Sequence, residues 1–418
     1  MKSQNSAKSH VTKSTFGLVI FLIGTLICSS APAADWPCWR GPNYDGISNE
    51  TGWNANWQNG EPKVLWEASL GVGFASMAVS NGKVYAMGNV NNNDIVYCFD
   101  AATGKEIWKQ SYACPVYANL HEGGPCATPT VDGDAVYTLS KDGDVIRFNA
   151  QTGDIAWHKN LSRESGFMHP RWHFSGSPLV VDDLIILNVG TTGVALKKAD
   201  GSIAWQSNKE ACGYTTGVPF TAGGKIYVAL MVSAEIVAVK PATGQVIWRF
   251  PWKTEYDINA ADPIFSGDLM FISSGYNHGC ALLKVNENNA TEIWQNKNMR
   301  NQVSNSVLWE GYIYGFDGQV GMSGPGNGKL TCMNLETGQV AWSQGGMGTG
   351  TLMLADGKLI ILSEDGKLVI AEASPTGFKD LSSAKILTYK CWTVPVLANG
   401  RIYARNAQGQ LVCVDVSK

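Results

Sequence analysis

An eleven-residue pattern, small-x-D-x-x-T-G-x-x-x-W, recurs along the chain and limits what it can fold into. It reads CFDAATGKEIW at 98–108, RFNAQTGDIAW at 147–157, ALKKADGSIAW at 195–205, AVKPATGQVIW at 238–248 and CMNLETGQVAW at 332–342, with a degenerate copy, KVNENNATEIW, at 284–294. The closing Trp108, Trp157, Trp205, Trp248, Trp294 and Trp342 are spaced by 49, 48, 43, 46 and 48 residues. A period near 45 residues with strand-like content predicts the blades of a propeller. Each unit has an earlier half, such as PTVDGDAVYTLS from Pro129 or PVLANGRIYARN from Pro395. That half reads as a short strand, a tight turn and an alternating β-branched strand. The eleven-residue pattern supplies the third and fourth strands around a Thr-Gly turn, where glycine tolerates positive φ.

Counting these units predicts an all-β, eight-bladed ring of four-stranded antiparallel blades. Blades begin near Ser76, Cys126, Ser175, Thr216, Ala260, Val303, Thr349 and Cys391. Blade seven lacks the closing tryptophan, and blade eight stops at Lys418 one strand short. Pro62-Lys63-Val64-Leu65-Trp66 matches the missing strand, so the segment around Trp66 is expected to pair with the strand around Cys413 and close the ring. Residues 63–418 then give about 44.5 residues per blade. The seven docking tryptophans, Trp66 included, are read as core, each offering about 150–250 Å² to bury. Composition agrees: glycine is 46 of 418 residues and charged residues are 16%, against averages of about 7% and about 25%. A net charge of −3 argues against a nucleic-acid binder.

The first 33 residues read as a signal peptide: Lys2, Lys8 and Lys13, an apolar run from Gly17 to Cys28, then Ala31-Pro32-Ala33. Twelve apolar residues are too few to span a bilayer. The mature chain is therefore expected to be periplasmic or secreted, without a transmembrane segment, and monomeric. Lipoprotein anchoring through Cys28 is disfavoured by the bulky Ile27 before it. Residues 34–62 form an extension ahead of the propeller domain at 63–418. Cys114 and Cys126 flank one loop and are the pair considered for a disulfide.

The D-x-x-T-G-x-x-x-W repeat resembles the tryptophan-docking repeat of the pyrroloquinoline quinone (PQQ) repeat propellers. That family includes quinoprotein alcohol dehydrogenases and the non-catalytic outer-membrane assembly lipoprotein BamB. The opening Trp36-Pro37-Cys38-Trp39-Arg40-Gly41-Pro42 resembles the W-P-x-W-R-G-P start of secreted PQQ-repeat proteins of the planctomycete-like type. The resemblance implies the eight-bladed fold. It implies PQQ with calcium only weakly, because the adjacent-cysteine pair of the dehydrogenases is absent here and none of their calcium ligands or base falls on a matching residue.

Ligands of propellers meet the loops that join one blade's last strand to the next blade's first. Here those loops carry His121, Glu122, His169, Arg171, Trp172, His173, Tyr214, Tyr256, Asp257, Arg300 and Trp392, which form the candidate ligand face. His169 and His173 stand four residues apart, a spacing that two metal ligands can use, but on a loop rather than a helix. Aromatic side chains with arginine also make protein-binding hot spots. No catalytic residue is assigned: there is no nucleophile elbow and no phosphate loop. The functional expectation is a non-catalytic binding or scaffolding module for a protein, peptide or glycan, with strand addition at blade edges a further route. The alternatives are a PQQ- and calcium-dependent alcohol or sugar dehydrogenase and a BamB-like assembly factor.

Overall fold

The computed structural model describes Met1 and residues 34–57, 60–320 and 326–418. The leader, Cys28 with it, and residues 321–325 lie outside the described residues. The ring is built within Ala34–Lys418, the larger of two compact units.

Eight antiparallel blades follow one another in sequence. Blade one comprises Ala78–Ser80, Lys83–Val90, Asn93–Asp100 and Glu106–Ala113, ordered from the channel outward. Blades two to seven repeat that order over 130–160, 179–206, 218–251, 264–296, 307–344 and 351–385. Blade eight takes Val396–Ala398, Arg401–Arg405 and Gln410–Asp415 from the C-terminus and Val64–Ser69 from the N-terminus. Trp66 stands opposite Cys413, the pairing expected from the sequence. Arg405, fully buried, fastens the same seam by donating to the carbonyls of Gly71, Ala75 and Met87. Among the described residues one five-residue helix, Leu161–Ser165, interrupts the strands.

The repeat encodes a joint between blades. Each docking indole donates from Nε1 to a carbonyl on the next blade: Trp66 to Ala101, Trp108 to Ala150, Trp157 to Lys198 and Trp205 to Pro241. Trp248, Trp294 and Trp342 do the same to Asn286, Leu335 and Ser374. The ring lies on the neighbour's turn glycine. A Cβ on Gly104, at φ +70°, would sit 2.5 Å from Trp66, and Gly153, Gly201 and Gly244 meet Trp108, Trp157 and Trp205 alike. The glycine therefore serves two purposes, a left-handed turn and a seat for the next indole. The cysteines of the repeat, Cys98, Cys332 and Cys413, are buried beside Tyr85, Tyr314 and Tyr403 as small apolar groups.

Two features depart from the plain repeat, and both come from the N-terminal extension. Blade seven has a fifth, innermost strand, Ile47–Ser48, parallel to Thr351–Ala355. At its outer edge the position of the lost tryptophan is held by Ser382, whose Oγ donates to Ala55 O at 2.8 Å. Asn54 N donates to Val416 O of blade eight at 2.7 Å. Trp53, 4% exposed, packs in a cluster with Ile360 and Ile370 of blade seven and Leu397 and Val416 of blade eight. The extension thus supplies the apolar wedge that the seventh copy of the repeat no longer encodes.

Candidate functional site

The extension also stoppers the central channel. Trp36 and Val79 exchange both backbone hydrogen bonds at 2.8 Å on blade one, and Pro37 O accepts from Val131 N of blade two at 2.8 Å. The chain turns at Gly41, where φ is +78° and a Cβ would lie 2.6 Å from the Trp36 ring. It returns along blade seven, Gly46 O accepting from Leu354 N at 3.0 Å. Arg40, buried at the turn, donates to Tyr44 O, Asp45 O and, across to blade six, Ser306 O at 3.2, 2.8 and 3.0 Å.

Above this stopper lies a cavity of about 770 Å³ at the channel mouth, open on the side of the long inter-blade loops. Trp39 lines its base, and its Nε1 donates to Asp262 Oδ2 at 2.5 Å. Asp262, 5% exposed, also accepts from Asn305 Nδ2 at 2.7 Å and Thr216 N at 2.8 Å. Burial raises its proton affinity, while Arg40 and these donors act the other way. Asp262 is one link in a girdle around the channel. Ser76 N donates to Thr128 Oγ1, Thr128 N to Ser177 Oγ, Ser177 N to Thr216 Oγ1 and Asp262 N to Asn305 Oδ1. Backbone donors where the inner strands begin are thereby already used.

The walls are aromatic. Phe74 stacks on Trp392, centroids 5.6 Å apart, and meets the edge of His121 at 5.4 Å. Trp172 is held through Nε1 by Asn119 O at 3.0 Å, with the Arg171 guanidinium 4.8 Å over its ring. Tyr214 and the perpendicular pair Tyr256–Tyr276 continue the wall.

Of the sequence-predicted residues, His121, Arg171, Trp172, Tyr214, Tyr256 and Trp392 line this cavity, and five do not. Glu122 is tied to Tyr389 Oη at 2.7 Å and to Lys390 Nζ at 2.9 Å. Burial alone would raise its pKa, but those bonds outweigh it and hold the carboxyl below the usual range. Burial lowers the pKa of His121 beside it. His169 and His173 stack face to face at 3.9 Å and 10°, with His173 Nδ1 2.9 Å from Asp142 Oδ1 and His169 Nδ1 3.1 Å from Pro170 O. Stacked rings do not converge on one ion, and the pair instead braces the loop that presents Arg171 and Trp172. Asp257 sits in a turn at φ 54°. Arg300 is clamped to Asp317 by two 2.7 Å bonds, which raise its pKa.

The disulfide considered for Cys114 and Cys126 is not formed: all nine described cysteines are free. The Cys114 thiol turns to Asp142, 3.5 Å away, whereas Cys126 faces the cavity. The sequence reading missed Trp39, Phe74, Tyr276 and Gln302 as lining residues. Trp39 lies in the quoted opening motif, but nothing local says that the motif enters the channel. Tyr276 lies in a loop within a blade.

Calcium takes six to eight oxygen ligands. Among the described lining residues the carboxylates are Glu255 and Asp262, and Asp262 already accepts three hydrogen bonds. No group of three or more His, Cys, Asp or Glu is gathered for a metal among the described residues. This donor set does not fit a calcium-bound quinone.

These features define an eight-bladed propeller of the tryptophan-docking type, stoppered by its own N-terminal segment and cupped at one mouth. The family profile described as outer membrane protein assembly factor BamB matches residues 45–208, 191–349 and 282–378, and the chain belongs to that family. It is 23% identical over 366 residues to the outer membrane protein assembly factor BamB of Yersinia pestis, covering 84% of this chain and 77% of that one. Among solved structures it is similar to BamB from Moraxella catarrhalis, with TM-score 0.61, 15% identity, and 85% and 100% of the two chains covered. It is also similar to quinohemoprotein alcohol dehydrogenase from Comamonas testosteroni, with TM-score 0.67, 16% identity, and 92% and 81% covered.

Proposed function

We propose that the chain is an exported, non-catalytic binding module whose ligand enters the cup at the channel mouth. The observation that carries this reading is the blind cup itself, with its channel stoppered beneath and its walls largely aromatic. Concave, mostly apolar sites of about 300–1,000 Å³ with a few polar groups are the usual form of a ligand site. The buried carboxylate of the lining, Asp262, is committed to the floor, and Glu122 and Arg300 on the neighbouring loops pair with Lys390 and Asp317 instead of lining the cup. Export is supported by the leader-like sequence and by relatives named for the outer membrane. A second reading, an envelope assembly factor with a protein partner, is favoured by those same names.

A photo-crosslinking side chain placed at Leu120, 58% exposed on the cup, tests the reading in intact cells, with Ile226, 57% exposed on the strand Lys225–Met231 and outside the cup lining, as control. The reading requires products from Leu120 and none from Ile226. An outer-membrane assembly protein in the Leu120 product selects the second reading. Equal products at both positions, or calcium-dependent saturable binding of PQQ by calorimetry, overturns the first.

A further inference from the structure

The cup holds one positive charge that the fold does not use. Other arginines of the ring are engaged: Arg163 with Asp144, Arg249 with Glu235, Arg300 with Asp317, and Arg40 and Arg405 with carbonyls. Arg171 makes no hydrogen bond or ion pair among the described residues. Its guanidinium lies 4.8 Å over the Trp172 ring, and its charge reaches Tyr214, Tyr256 and Tyr276. The two carboxylates of the lining do not pair with it: Asp262 is taken up in the floor by three donors and Glu255 turns to its neighbour Tyr256, which leaves the guanidinium for an anion brought by the ligand. The flat guanidinium fork matches a carboxylate through two parallel hydrogen bonds.

The rest of the lining narrows the body that carries this anion. The Trp39, Trp172 and Trp392 indoles are apolar faces of the kind that accept the C–H face of a sugar ring. The side-chain amides of Asn277 and Gln319 line the cup and make no hydrogen bond of their own among the described residues, so they are free to meet hydroxyls. A peptide is less well served. The girdle consumes backbone donors at the starts of the inner strands, so the mouth offers little for a peptide backbone to pair with.

We propose that the cup binds an acidic oligosaccharide, with a uronate carboxylate on Arg171 and a sugar face on an indole of the wall. This rests on the reading of the cup as a ligand site. It is tested by calorimetry on the chain from residue 34 onward with three probes: trigalacturonate, its methyl ester, and a hexapeptide with a free C-terminal phenylalanine. The acid should bind at least about tenfold more tightly than the ester, the effect of one charge-assisted contact. Arg171→Gln should erase that preference by weakening acid binding while the protein still melts cooperatively, because Arg171 makes no hydrogen bond or ion pair and only its contact over Trp172 is lost. Equal binding of acid and ester, or a preference that survives Arg171→Gln, overturns the assignment. So does tighter binding of the peptide, or no saccharide binding at millimolar concentration. If crosslinking from Leu120 succeeds while these titrations fail, the cup remains a ligand site and only the ligand chemistry is wrong.

Discussion

Replacing Arg40 by methionine should release the channel stopper while leaving the ring intact. The side chain is 4% exposed and donates three hydrogen bonds, two within its own turn and one to Ser306 O of blade six. Methionine fills similar space and donates nothing. Three carbonyls, that of Ser306 fully buried, lose a donor, and Asp262 loses the positive charge that opposes its burial. Removing one partner from a buried charged arrangement costs about 3–5 kcal/mol. The ring joints are made by indoles and strands that Arg40 does not touch, so the loss should fall on the docking of residues 36–48. Native-state hydrogen exchange is the assay. The amides of Trp36, Val79, Val131 and Leu354, which bond across the stopper, should exchange about 150- to 4,000-fold faster. The Leu70 amide, bonded to Gly409 O at the ring seam, should keep its protection. A uniform fall across both sets, or unchanged stopper amides, would refute the reasoning.

Trp66→Ala should cost about 3–5 kcal/mol in urea unfolding, since it removes a buried indole and its bond to Ala101 at the closing joint; a loss under about 1 kcal/mol would mean that the ring closes some other way. Gly82 and Gly104 share a φ near +70°, but only Gly104 lies under an indole. Gly82→Ala should cost about 1–2 kcal/mol of backbone strain and Gly104→Ala clearly more; equal melting temperatures would deny the glycine its role as a seat. Burial pushes the Asp94 carboxyl up to about 6 from 3.8. The folded state therefore holds the proton more tightly than the unfolded state, and the resulting stability, complete below about pH 4, is lost as pH rises through about 6. The loss is about 3 kcal/mol at 1.36 kcal/mol per pKa unit. Asp94→Asn should thus be more stable than the parent at pH 8 and show a flatter stability profile between pH 4 and 7; urea melts that track the parent at both ends would contradict this.

The architecture was legible because its code is local and repeated. An Asp/Asn-x-x-Thr-Gly turn followed by a tryptophan identifies a joint wherever it occurs, and the orphan strand at Val64–Trp66 could be matched to the incomplete blade by pattern alone. The site was half legible. Loops between blades must converge at the mouth of a ring, so His121, Arg171, Trp172, Tyr214, Tyr256 and Trp392 could be placed there in advance. Which loop side chains turn inward is decided by partners far away in sequence. Arg300 is drawn to Asp317, Glu122 to Lys390, and His173 to Asp142. The stopper was not legible, because no repeat copy announces that Trp36–Ser48 threads the channel, and the bond from Trp39 to Asp262 spans 223 residues. The lost tryptophan of blade seven was visible, but not that Trp53 and Ala55 fill its place.

The central claim is that the N-terminal segment threads the channel, so that its Trp39 becomes part of a cup built otherwise from distant loops. Paramagnetic broadening of the fifteen tryptophan indole N–H signals measures this directly. A nitroxide is attached at Leu120→Cys in a Cys126→Ser background, and signals are assigned by single Trp→Phe substitutions. The account predicts that Trp39, Trp172 and Trp392, which share the cavity with Leu120, are broadened together, while Trp248 and Trp294 on the outer strands of blades four and five are affected least. A Trp39 signal as sharp as those of the docking indoles, with Trp172 and Trp392 broadened, would contradict it: the cup would then have no floor from the N-terminus.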